Sequence, residues 1–198
     1  MPRPFTLTLL TLFLTGPAIA DTFVRDDIET EPTSSNFSVC HGHSCAGVDQ
    51  IGLSAHEWRS IRRLFSRAST SPAQERGFIA RSIARFETIV GKRNGTWNDK
   101  GGDLKGLGQD GQMDCIDESI NTTTYLRIME HAGLLRWHTV EDRATRGWFI
   151  KGWPHTTAVI RDTRGDELYA VDSWFEDNGQ PPHIVPLKLW KDGWDPGD

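Results

Sequence analysis

The apolar residues of this chain change their spacing once, and that change limits the fold more than any other feature of the sequence. From Leu53 to Gly133, apart from "GTWNDKGGDLKGLGQDGQ", whose six glycines in eighteen residues mark a long loop, they recur every three or four positions, the period of an amphipathic helix. After Gly133 they alternate within short β-branched and aromatic runs. Trp58, Ile61, Leu64 and Phe65 make one stripe behind Ser54, an N-cap candidate with Glu57 three residues on. Phe78, Ile79, Ile83, Phe86, Ile89 and Val90 make a second, opened by Ser71–Pro72 and stopped by Gly91 to Gly95. A third helix is predicted from Asp114 to about His131, with Gly133 just past its end. Strands are predicted in "LRWHTVED", "GWFIKGW", "HTTAVIRDT" and "ELYAVDSWF", with "PHIVPLKLW" as an edge strand because Pro186 suits an edge. Helices first and an antiparallel sheet after define an α+β domain over residues 51–198, without repeats or a second domain.

What precedes that domain points to export. Arg3, the apolar run "FTLTLLTLFLTG" and the small residues of "PAIA" have the pattern of a secretory signal peptide over residues 1–20, cleaved after Ala20. The run is too short for a membrane span, so stable membrane insertion is not expected; an uncleaved N-terminal anchor is the alternative. The expected location is periplasmic or extracellular, with a mature chain starting at Asp21. Residues 21–50 are polar, rich in Pro, Ser and Thr, and without clear periodicity, which predicts an extended or loosely packed arm. With 22 Lys and Arg, dispersed, against 27 Asp and Glu, nothing suggests nucleic-acid binding.

Three cysteines in an oxidising space leave one over. Cys40 and Cys45 lie close together in "VCHGHSC", so a Cys40–Cys45 disulfide with Cys115 free is the economical assignment. "CHGHSC" also holds ligand types for a metal, although four ligands packed so tightly rarely close one tetrahedron. No metal or other cofactor is expected.

Cys115 stands in "GQMDCIDES", among Asp114, Asp117 and Glu118. It could be a nucleophile, a disulfide half, a metal ligand or a small buried residue. In the first turn of the third helix its sulfur would meet free backbone N–H groups and the positive end of the helix dipole, which favour thiolate, while the acids oppose it. Activation would still need an imidazole. One is found in "WPHTTAVIRDTRGDELYAVDSWF", two alternating runs flanking a turn. With Asp162 to Gly165 as the loop, Arg161 pairs with Asp166 and His155 falls opposite Asp172, placing imidazole and carboxylate on one face. His131 is read as a helix-end residue suited to the dipole, His138 as lying in a strand before the better site and His183 as lying in a surface loop after Pro-Pro, and the sequons at Asn36, Asn94 and Asn121 as accidental.

The segments "DCIDES", "PHTTAVI" and "YAVDSW", in that order, resemble the papain-like cysteine hydrolases and more closely the bacterial transglutaminase-like cysteine peptidase group. The resemblance covers Gln109 to Trp174, about a third of the chain. It implies a papain-like or transglutaminase-like architecture, with Cys115 as nucleophile, His155 as base and Asp172 as its orienter. It further implies Gln109 as oxyanion donor, with Gln112 as fallback. The expected activity is acyl transfer through a thioester, amide or isopeptide hydrolysis before cross-linking, on a protein or cell-wall peptide. The rival expectations are a non-catalytic binding module of the same fold and a metal-binding exported protein.

Overall fold

A computed structural model describes residues 27–102, 109–147 and 154–197. The signal-peptide segment and nearly all of "GWFIKGW" lie outside these residues. In chain order the elements are β1 (Phe37–His41), β2 (Gly47–Ile51), α1 (Ala55–Arg62), α2 (Pro72–Asn94), α3 (Cys115–His131), β3 (His138–Arg146), β4 (His155–Asp162), β5 (Leu168–Asp172), β6 (His183–Pro186) and α4 (Leu187–Lys191). The four later strands form one antiparallel sheet in the order β3-β4-β5-β6, and β1 and β2 form a separate hairpin. The mixed helix and antiparallel-sheet class is therefore as the spacing change predicts.

The caps act as the sequence suggests. Ser54 and Glu57 close a reciprocal capping box on α1, Ser71 accepts from the Gln74 N–H at the start of α2, and Gly95 ends α2 in the left-handed region at φ 85°. Asp114 and Asp117 make a second capping box on α3.

The core lies between α2, α3 and one face of the sheet. Phe86 and Tyr125 stack at 4.6 Å, and Phe37 of β1 meets both edge-on. From the sheet, Ala158, Ile160, Tyr169 and Val171 join this core, while the alternate residues Val159 and Ala170 pack on Leu187 and Trp190 of α4. Strand β4 is thus buried on both faces, which explains why "HTTAVI" shows almost no polar alternation.

Three expectations need correction. The arm from residue 27 to residue 50 is extended but not loosely packed: Phe37 and Val39 are fully or almost fully buried, and β1 packs against α3. Its alternation is too short to stand out among polar neighbours. "PHIVPLKLW" is an edge strand only to Pro186; Leu187 to Lys191 turn into α4, which covers the outer sheet face. His183, expected in a surface loop, is the first residue of β6 and half-buried, its Nε2 2.7 Å from Glu176 Oε1.

Candidate active site

The β4–β5 hairpin sets the site, in a register two residues away from the expected one. Arg161 pairs with Leu168, not Asp166, because the turn runs from Asp162 to Glu167, with the Asp162 N–H donating to the Glu167 carbonyl at 2.8 Å. His155 is therefore diagonal to Asp172 and not opposite it. The contact survives because an even slip keeps both residues on the same face, and a diagonal pair about 7–8 Å apart is within reach of an imidazole. His155 Nε2 lies 2.7 Å from Asp172 Oδ2.

Asp172 is 1 % exposed and is held by more than His155. Trp190 Nε1 donates to the same Oδ2 at 2.7 Å, and the Trp174 N–H donates to Oδ1 at 3.3 Å. The rings of Trp174, Phe175 and Trp190 surround the imidazole at centroid distances of 4.9, 5.4 and 5.5 Å. With Nε2 committed to the carboxylate, Nδ1 is the nitrogen left for proton transfer.

Cys115 opens α3, half-buried, at the start of β4. Its S–H donates to the Pro154 carbonyl at 3.9 Å. Burial pushes its thiol up to about 11, against the pull of the Thr156 N–H, and the charges of Asp114 and Asp172 push the same way. Burial and the carboxylates outweigh the helix terminus and favour the neutral thiol. Cys115 and His155 line one cleft of about 290 Å³, together with Arg146, Trp174, Phe175 and Lys191 among others.

The flanking acids have structural employment. Asp114 Oδ1 caps the Ile116 and Asp117 N–H groups, and its Oδ2 accepts from the Ser44 N–H. Asp117 accepts from the N–H groups of His43 and Cys45 at 2.8 and 2.7 Å. These donors belong to the "CHGHSC" turn, closed by a Cys40–Cys45 disulfide, where Gly42 to Cys45 all have positive φ. Both cysteines are thereby withdrawn from metal binding, and the segment serves as a brace for the first turn of α3. No group of three or more His, Cys, Asp or Glu among the described residues is arranged to hold a metal.

Sequence reasoning missed a buried carboxyl cluster. Glu87 from α2, Asp99 after it, and Asp117 and Glu118 from α3 are all buried. Burial raises Glu87 to about 8, Asp99 to about 7 and Asp117 to about 6, and lifts Glu118 well above the carboxylate range with added repulsion from Glu87 and Asp99. Asp99 also accepts the Met113 N–H at 2.7 Å, tying the preceding loop to the helix start. Four acids scattered over thirty-two positions carry no local signal of meeting.

Neither glutamine is positioned as an oxyanion donor among the described residues. Gln112 is buried with its Nε2 donating to the Asn98 carbonyl and its Oε1 accepting the Lys100 N–H, a loop clamp. Gln109 is exposed and does not line the cleft. The Asp114 cap engages the Ile116 and Asp117 N–H groups and not that of Cys115, which lies beside its own sulfur. His138 is structural: its Nδ1 lies 3.0 Å from Glu75 Oε1, and Glu75 also takes the Arg136 and Trp137 N–H groups. Asn121 is likewise internal, exchanging hydrogen bonds with both backbone groups of Cys40.

No family model, no curated protein and no solved structure matches this chain. No helix among the described residues is long and apolar enough to cross a membrane.

Proposed function

We propose that the protein is an exported, cysteine-dependent acyl-transfer enzyme of transglutaminase-like type, acting on a protein or cell-wall peptide. The observation that carries this reading is His155, on the wall of the cleft that holds Cys115 at a helix start, with its Nε2 2.7 Å from the buried Asp172 carboxylate behind it. In this reading the Cys115 proton passes to His155 Nδ1 as sulfur attacks the substrate carbonyl, and Asp172 supports the resulting imidazolium. The oxyanion meets the Cys115 N–H. His155 returns the proton to the departing amine as the C–N bond breaks, leaving a thioester. Water then attacks the thioester, His155 takes its proton, and acid and thiol are released. An amine in place of water would give cross-linking.

A second reading, a binding module that keeps the fold without turnover, is favoured by the neutral thiol. A p-nitrophenyl ester separates the two. The enzyme should release a burst of nitrophenolate and carry a hydroxylamine-sensitive acyl group on Cys115, lost in Cys115→Ala and in His155→Ala. Equal, burst-free hydrolysis by all three proteins would refute the enzyme. Export is tested by N-terminal sequencing of protein from the cell envelope, which should begin at Asp21.

A further inference from the structure

We infer that the cleft takes a substrate bearing a carboxylate next to the scissile bond, recognised by Arg146 with help from Lys191. Arg146 ends β3 directly opposite His155, on the same sheet face, and lines the Cys115 cleft. Its Nη1 is spent on main-chain carbonyls, those of Trp190 and, at 2.8 Å, Trp194. Its Cζ sits 4.5 Å above the Trp190 ring. These tethers fix the plane of the guanidinium, yet among the described residues its Nε and Nη2 hydrogens meet no acceptor and no carboxylate comes within ion-pairing distance. A half-buried cation without a contacting counter-ion is costly, and here burial lowers its pKa while Asp172 and Asp195 only partly compensate from farther off.

The free edge of a guanidinium, held still, matches a carboxylate in bidentate fashion, with little ordering cost on binding. Lys191, exposed on α4 and without a partner among the described residues, adds a second positive charge to the rim. Asp195 lines the same cleft, so among the described lining residues two cations stand against one carboxylate, apart from His155. Trp174 and Phe175 supply apolar wall for the rest of the ligand. The carboxylate could belong to an acidic side chain or to a free C-terminus; both present the same group. The inference leans on the proposed function only in calling the ligand a substrate.

Alkylation of Cys115 tests it without any need for turnover. Thiolate displaces iodide from iodoacetate or iodoacetamide alike, forming the C–S bond, but only the first reagent carries a carboxylate. The rate ratio of iodoacetate to iodoacetamide should fall about tenfold in Arg146→Gln, and less, in a salt-dependent way, in Lys191→Gln. Iodoacetamide reports any general disturbance of the cleft, and the exposed Lys191 can be changed without touching the core. N-acetylglutamic α-amide and N-acetylglutamine then distinguish the sources: whichever slows iodoacetamide labelling places the carboxylate on the side chain or on the terminus. A ratio unchanged in both variants, or protection by neither compound at millimolar concentrations, overturns the inference. A protein that passes this test yet forms no acyl-enzyme keeps the carboxylate site and loses the enzyme.

Discussion

Trp190 donates its indole N–H to the same Asp172 oxygen that holds His155, each at 2.7 Å. One buried carboxylate oxygen therefore fastens the outer helix α4 to the imidazole of the cleft. Trp190→Phe keeps most of the packing but removes that donor. It should cost about 1–3 kcal/mol of stability, measured by chemical denaturation, because a buried acceptor loses a partner. Ester turnover should drop as well, though less than in Asp172→Asn.

Asp172→Asn retains an acceptor for Trp190 but cannot support an imidazolium. Its turnover should fall by about three to four orders of magnitude with the circular dichroism spectrum unchanged. Cys115→Ala and His155→Ala should each abolish turnover, and the double variant should add almost nothing, since groups that act as a unit are not additive.

The buried thiol has a pH signature of its own. A thiol pushed up to about 11 should alkylate slowly at pH 6 and gain rate steadily above pH 9. A fast plateau at pH 6, lost in His155→Ala, would instead reveal a resting thiolate–imidazolium pair. The same shift acts on stability. The folded value lies above that of an unfolded cysteine, so the contribution of the neutral thiol is complete below pH ~8.5 and lost as pH rises through about 11.

Glu87 supplies a second pH dependence, at lower pH. Its folded value of about 8 lies above that of an unfolded carboxylate, so its protonated form stabilises fully below pH ~4 and the benefit is lost as pH climbs through 8. Glu87→Gln replaces the proton-bearing form by a neutral amide and can keep an acceptor for the Gly179 N–H, which Glu87 Oε2 takes at 2.9 Å. Relative to wild type the variant should gain on the order of 3 kcal/mol between pH 5 and pH 8, read from urea midpoints. Parallel curves for the two proteins would show that Glu87 is ionised in the fold.

Reduction of the Cys40–Cys45 bond tests the brace on α3. So short a loop contributes about 2 kcal/mol or less through chain entropy. Freed, the positive-φ turn from Gly42 to Cys45 should also release the N–H groups that Asp114 and Asp117 accept. Dithiothreitol should therefore reduce ester turnover as well as the melting temperature. Unchanged kinetics in the reduced protein would limit the disulfide to a stabilising role.

What the sequence by itself determined is what repeats locally. The helix stripes, the caps at Ser54, Ser71 and Asp114, the Cys40–Cys45 pairing and the change from helix to strand all depend on neighbours a few positions apart. The His155–Asp172 contact was legible for a weaker reason: the face of a strand follows parity, and parity withstood a two-residue error in register. The tertiary structure decided everything that depended on distant segments meeting. It folded Phe37 and Val39 into the core, and turned "LKLW" into a helix whose Trp190 secures Asp172. It assembled Glu87, Asp99, Asp117 and Glu118 into one carboxyl cluster, set Arg146 across from His155, and passed over Gln109. It also set the charge of Cys115, because a thiol answers to its burial and to carboxylates brought from other elements as much as to the helix terminus on which it sits.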